Sequence, residues 1–144
     1  MHRPVRNILD KKGRTVQTVN PSETVLAAVD RMNEHRIGSL VAVSHGRPVG
    51  IFTERDVLTR VIASRRDPET TLVSEVMTDQ MIAITSETTV EEAICLVHDN
   101  RCRHLPVIEN GSLVGLISAG DLTQCVVDDQ EHQISDLVGY IRTG

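Results

Sequence analysis

At 144 residues, the chain is long enough to bury a real core as one compact unit or two small ones, without disulfide or metal staples. It holds one Phe, one Tyr and no Trp, which leaves an aliphatic core and excludes an aromatic stacking platform for bases. The net charge of −5 disfavours general nucleic-acid binding, and no apolar run approaches the ~20 residues needed to span a bilayer. The start, "MHRPVRNILD", has no apolar h-region, so no signal peptide is expected. Three cysteines, Cys95, Cys102 and Cys125, make an odd count that argues against a disulfide framework and fits a reducing, cytoplasmic location.

The chain repeats itself. Residues 16–62 align with 81–127 at a constant offset of 65, and ten of these 47 positions are identical, including Thr24/Thr89, Arg36/Arg101, Gly50/Gly115 and Asp56/Asp121. Upstream, "VRNIL" (5–9) resembles "VSEVM" (73–77), with three extra residues in the first copy. The charged stretch "SRRDPETT" (64–71), with Pro68, marks a boundary. The chain is therefore divided into a first repeat over 1–66, a second over 67–127 and a helical tail over 128–144.

Each copy predicts the same series of elements. Val16 and Val19 fit a short strand, as do Ile82 and Ile84 in the second copy. An N-cap signal follows at Ser22, or at Glu87–Thr88, and opens a helix. Val25, Ala28, Val29 and Met32 recur at helical spacing, and so do Val90, Ala93, Ile94 and Val97. "SLVAV" (39–43) and "HLPVI" (104–108) read as strands. Gly46 and Gly111 can supply positive φ in the turns after them. "VGIF" and "VGLI" are the next strands, and a second helix runs to about Ala63 or Val127. The tail "QEHQISDLVGYI" predicts a separate helix with Ile134, Leu137, Val138 and Ile141 on one side, placed to cap the pair or mediate a dimer. Strands apolar on both faces need covering. The expected fold is α/β (α+β): two β-α-β-β-α repeats packed through their sheets about a pseudo-two-fold axis, plus a C-terminal helix.

Charge is unevenly divided. Residues 1–66 hold 12 Lys+Arg and 6 Asp+Glu, net +6, and residues 67–144 hold 3 and 14, net −11. The division reads either as solvated surface or as two halves that face each other, within the chain or across a dimer.

Both copies end on Gly-apolar-apolar-hydroxyl-x-x-Asp: "GIFTERD" and "GLISAGD". A hydroxyl at N-cap with an acid three residues on is close to a capping box, and the acid suits the positive helix end. Capping alone is one reading; capping combined with ligand binding is the other, since helix starts also suit anions. Gly50 and Gly115 lie within strands, where glycine marks close approach, either by a ligand or by tight packing between the repeats.

These pieces carry a family resemblance. "HRIGSLVAV", "GIFTERDV", "VMT", "RCRHLPVIENGSLVGLIS" and "GDL" resemble a tandem pair of CBS domains, named after cystathionine β-synthase, over about residues 3–127. The whole chain is similar to the stand-alone bacterial type. The resemblance implies a regulatory module that binds adenosine-containing ligands (AMP, ADP, ATP, NAD(H) or S-adenosylmethionine) in clefts between the repeats. It also implies a homodimer whose conformation an unknown downstream protein reads. In such pairs the motif Asp takes ribose hydroxyls and the motif hydroxyl sits near phosphate, which selects Asp56 with Thr53 and Asp121 with Ser118. The residues just before the middle strand line the site of the other repeat's motif. Arg103 and His104 are thus expected beside Thr53 and Asp56, with the backbone near Met77, Thr78 and Met81 beside the base. Ile37, Gly38 and Ser39 are expected at the Ser118/Asp121 site.

A carboxylate accepts two hydrogen bonds from vicinal hydroxyls but repels phosphate. Phosphate is therefore displaced toward the hydroxyl residue and toward Arg, whose fork fits its oxygens. Arg101, Arg103 and His104 are the candidates, with Arg55 inside "TERD". The second site has no cation in "SAGD" or before its strand, so it is expected to take a less charged ligand or none.

Other constellations are weaker. Cys95, His98, Cys102 and His104 have zinc-type spacing, but Cys95 and His98 align with Asp30 and Asn33, so no metal is expected. No nucleophile elbow, P-loop or paired hydrolytic acids stand out, so no enzyme is expected. His2, His35, His45 and His132 read as surface residues. A structural dimerisation module with vestigial clefts is the alternative to a ligand sensor.

Overall fold

The computed structural model describes residues 3–143, except the side chains of residues 136 and 140–143. His2 and the side chain of Ile141 lie outside the described residues. The two hairpins show why the repeat is written twice. β2 (Ser39–Ser44) pairs antiparallel with β3 (Arg47–Thr53), and β4 (His104–Glu109) with β5 (Ser112–Ser118). Their two-residue turns hold His45–Gly46 at φ 52° and 77° and Asn110–Gly111 at 52° and 78°. Two positive φ values in succession suit the twist of a tight hairpin. Each hairpin has a bulge at the same place, Ala42/Val43 and Val107/Ile108.

The helices before the hairpins are α2 (Val25–His35) and α5 (Val90–Asn100). They start later than the sequence suggests. The caps are the identical threonines Thr24 and Thr89, whose hydroxyls accept from the Ala27 and Glu92 N–H groups. Ser22 and Thr88 are engaged elsewhere: Ser22 donates to the Asn20 side chain, and Thr88 accepts from the Thr85 N–H. Both helices end on a left-handed arginine, Arg36 and Arg101.

The first sheet has order β1-β2-β3, with β1 (Thr18–Val19) parallel to β2. In the second repeat the expected strand at Ile82–Ile84 shrinks to one bridge, Ile84 to Val107. Pro106 explains the loss. Its counterpart Val41 donates its N–H to the Gln17 carbonyl at 3.2 Å, whereas proline has no N–H to give to the equivalent residue, Ile82.

Two short helices complete the cores by exchange. α1 (Arg6–Lys12) precedes the first repeat but packs Val5, Ile8 and Leu9 into the second core, against Val90, Leu105 and Ile117. α4 (Val73–Val76) precedes the second repeat but packs Val73 and Val76 into the first core, against Val25, Leu40 and Phe52. Main-chain bonds repeat the exchange: Val5 N–H to Thr88 O and Val90 N–H to Arg3 O on one side, Val25 N–H to Thr71 O and Val73 N–H to Glu23 O on the other. The charge division is used within the chain, because Arg3–Asp129, Arg6–Glu87 and Lys12–Asp121 ion pairs tie α1 to the acidic half. β3 and β5 lie against each other where the repeats meet.

The motif helices differ. In the first copy α3 (Glu54–Asp56) runs into a π-helical stretch over Val57–Ile62. In the second, α6 (Ala119–Thr143) is one helix of 25 residues. The expected break between a motif helix ending near Val127 and a separate tail helix is absent, as no Gly or Pro interrupts 121–138. Ile134, Leu137 and Val138 are all exposed along it.

The strand glycines are explained by the exchange. A Cβ on Gly50 would lie 2.7 Å from Met77 Sδ and 3.0 Å from the Thr78 carbonyl oxygen. A Cβ on Gly115 would lie 2.7 Å from Leu9 Cδ2. Met77 and Leu9 hold the same place in "VSEVM" and "VRNIL", so each glycine receives the crossing segment. Gly50→Ala and Gly115→Ala should each destabilise the fold by about 1–3 kcal/mol through overpacking. Gly50→Ala should cost more, because a carbonyl oxygen cannot rotate away as a leucine methyl can. Urea or thermal unfolding of both variants checks the order; equal stability to wild type would contradict the close approach.

Candidate functional site

Both motifs form reciprocal caps. Thr53 Oγ1 accepts from the Asp56 N–H at 3.2 Å, and Asp56 Oδ2 accepts from the Thr53 N–H at 3.0 Å. Ser118 and Asp121 repeat this at 3.0 and 2.8 Å. The capping half of the motif is thus present in both copies. What surrounds the two acids differs.

Asp56 is 5% exposed. Its carboxylate also accepts from Thr78 Oγ1 at 3.2 Å and pairs with Arg60 Nε at 3.6 Å. Thr78 is held there by an antiparallel bridge to Ile51, with N–H to O distances of 2.9 and 2.8 Å. These residues open on a cleft of about 1110 Å³ between the repeats. Its lining combines Thr53, Asp56, Thr59 and Thr78 with Arg55, Arg60, Arg101 and Arg103, while Ile51, Met81, Ile82 and Pro106 supply apolar surface. The side chains of Arg55, Arg101 and Arg103 make no hydrogen bond or ion pair among the described residues. A lining of hydroxyl and carboxylate acceptors, guanidinium groups and apolar side chains suits a ligand with hydroxyls, phosphate and a flat ring.

His104 also lines this cleft. Burial first, then the nearby Arg103 and Lys12 cations, push its imidazole below the ordinary range, against the opposing effect of Asp121 and Glu54. It is therefore a neutral donor or acceptor near pH 7.

The cleft gathers eight of the nine residues expected at the first site: Thr53, Arg55, Asp56, Thr78, Met81, Arg101, Arg103 and His104. Met77 is the ninth. Its side chain packs against the first core, and only its carbonyl is engaged nearby, accepting from Arg60 Nη1 at 3.0 Å. Arg60 went unforeseen, although its i,i+4 spacing from Asp56 was a usable signal. Glu54, Gln80 and Ile82 are further additions.

The residues expected at the second site are not gathered in this way. Ile37 packs against the first core, Ser39 is 6% exposed, and Gly38 lines the Thr53/Asp56 cleft. The cavity beside Asp121 is only about 210 Å³ and is lined by α1 and α6. A cation is present there after all: Lys12 Nζ donates to Asp121 Oδ2 at 2.6 Å. Burial pushes the Asp121 carboxyl up, but the Lys12 and Ser118 donors outweigh it and hold the group below the usual carboxylate range. Cys95 is exposed, Cys102 is partly buried, and no group of three metal-ligating side chains converges among the described residues. No described helix is long and apolar enough to cross a membrane.

Residues 5–63 and 73–128 each match the CBS domain family. The chain is 34% identical to the CBS domain-containing protein CBSX3, mitochondrial, of Arabidopsis thaliana, over 97% of this chain and 72% of that protein. It is 33% identical to the Bacillus subtilis CBS domain-containing protein YhcV, over 81% and 82% of the two chains. Among solved structures, a Burkholderia ambifaria protein with CBS domains, named for signal transduction, superposes with a TM-score of 0.85 at 38% identity, over 88% of this chain and 96% of that one.

The His104 environment has a pH signature. A histidine whose folded pKa is depressed contributes stability that is present above its ordinary value of 6.5 and lost as pH falls through the folded value. Thermal unfolding should therefore show wild type losing stability relative to His104→Gln as pH drops below about 6.5. Parallel pH profiles for the two proteins would contradict the burial of the neutral imidazole.

Proposed function

Because the chain belongs to the CBS domain family, we propose that it is a regulatory, ligand-sensing module rather than an enzyme. It binds an adenosine-containing nucleotide (AMP, ADP, ATP or NAD(H), with S-adenosylmethionine as a further candidate) in the Thr53/Asp56 cleft. It signals by a conformational change of a homodimer in the cytoplasm, read by a downstream protein. The observation that carries this reading is the convergence of Asp56, Thr53 and Thr78 with unpaired Arg55, Arg101 and Arg103 around one cleft of about 1110 Å³. In this pose Asp56 accepts ribose hydroxyls, the arginines take phosphate, and Met81, Ile82 and Pro106 flank the base. A ligand shifts a conformational equilibrium only by its differential affinity for the two states. A cleft between two repeats supplies that difference, because its walls belong to separate cores.

A dimerisation module without a ligand is the second reading. Leu58 and Ile62, one helical turn apart, are 64% and 59% exposed, and Ile134 and Leu137 are 63% and 60% exposed. That much uncovered aliphatic surface favours a protein partner.

Calorimetry and thermal shift against these five adenosine-containing ligands separate the two. Wild type should bind at least one and gain thermal stability, roughly 2.7 kcal/mol at a hundredfold excess over Kd. Asp56→Ala should weaken that binding at least tenfold, and Asp121→Ala should have little effect. No shift with any of the five would sink the sensor reading. Equal losses in both variants would sink the choice of cleft.

A further inference from the structure

The three residues by which "VRNIL…" exceeds "VSEVM…" before the repeats come into register have a structural consequence. In the first half, Thr78 makes two contacts: its N–H donates to Ile51 O at 2.9 Å, and its hydroxyl donates to Asp56 at 3.2 Å. The counterparts of Ile51 and Asp56, at the offset of 65, are Leu116 and Asp121. Both are engaged by a single group, the Lys12 ammonium, at 2.9 Å to Leu116 O and 2.6 Å to Asp121 Oδ2. The backbone geometry accounts for the exchange of donors. Helix α4 stops at Val76 and the chain turns extended at Met77, whereas α1 continues to Lys12. The extra helical residues carry a side-chain cation to the place where the other half has a backbone N–H and a hydroxyl.

We propose that Lys12 is an internal occupant of the second cleft: it latches α1 over Asp121, so that the chain takes one nucleotide, at Asp56, and not two. The ligand part of this inference rests on the reading given under Proposed function; the latch itself does not. The small cavity beside Asp121, about 210 Å³, lies between α1 and α6 and takes in neither Ser118 nor Ile37, Gly38 or Ser39. α1 is fixed over it from several sides. Val5 and Leu9 are fully buried, Leu9 fills the space at Gly115, and Arg3 and Arg6 pair with Asp129 and Glu87. A ribose arriving at Asp121 must displace an ammonium that already has two acceptors. The Lys12 and Asp121 side chains are 38% and 23% exposed, so the pair is within reach of solvent and the latch can be released without unfolding the core.

The test has two arms. Without ligand, the thermal unfolding of wild type, Lys12→Ala, Asp121→Ala and the double variant forms a cycle. The double variant should lose less Tm than the two single losses added together; additive losses overturn the latch. With ligand, calorimetry against ATP and adenosine counts sites in wild type, Lys12→Ala, Asp56→Ala and Lys12→Ala/Asp56→Ala. One, two, none and one per chain are expected, with adenosine suited to a cleft that has lost its cation. Two sites in wild type, or no gain in Lys12→Ala while wild type binds, overturns the proposal. If no variant binds either probe but the cycle is coupled, the nucleotide reading fails and the latch stands.

Discussion

Neither repeat can close its core with its own residues. The first lacks an apolar cover over Val25, Leu40 and Phe52 until Val73 and Val76 arrive from beyond the boundary, and the second needs Val5, Ile8 and Leu9 from the start of the chain. Everything else follows from this reciprocal loan. It requires glycine at 50 and 115, where the crossing segments touch a strand, and it holds the repeats together with buried side chains as well as with surface contacts. It also makes the two halves one cooperative object, because unfolding either repeat strips apolar partners from the other.

The exchange also builds the clefts. The residues just beyond Met77 and Leu9 are delivered to the motif end of the strand that the segment crosses: Thr78 to Asp56, Lys12 to Asp121. One neutral hydroxyl and one ammonium, at corresponding places, give two acids of the same type different futures. Asp56 keeps a wide cleft with arginines around it, and Asp121 is neutralised from within. Duplicated sequence therefore does not entail duplicated surroundings. Three added residues in a connector change a site without touching its motif.

Much of this was legible in the sequence because it was local. The repeat, the hairpin turns with their glycines, the amphipathic helices and both capping pairs depend on residues a few positions apart, and each was read correctly in kind. The family resemblance supplied the pairing of Arg103 and His104 with the other repeat's Thr53 and Asp56, which no local rule gives. What escaped was set by distant partners or by a missing group. The cap at Thr24 rather than Ser22 depends on Asn20 claiming the serine. The shortened strand at Ile84 depends on a proline 22 residues on. Lys12 drew no notice, because nothing near it in the chain announces Asp121. The continuous α6 was mistaken for two helices because the repeat alignment ends where the helix does not.

That continuity has a mechanical meaning. Asp121 stands in the first turn of α6, and the helix runs on to Thr143 without a break. At 1.5 Å per residue the remaining 22 residues form a rod of about 33 Å. A tilt of about 5° at its base moves its far end by about 3 Å, close to the diameter of a water molecule. The first motif helix has no such arm, since its π-helical stretch ends at Ile62. The molecule is thus geared asymmetrically: displacement is amplified on the side of the small cavity, while the large cleft has no long helix of its own to move.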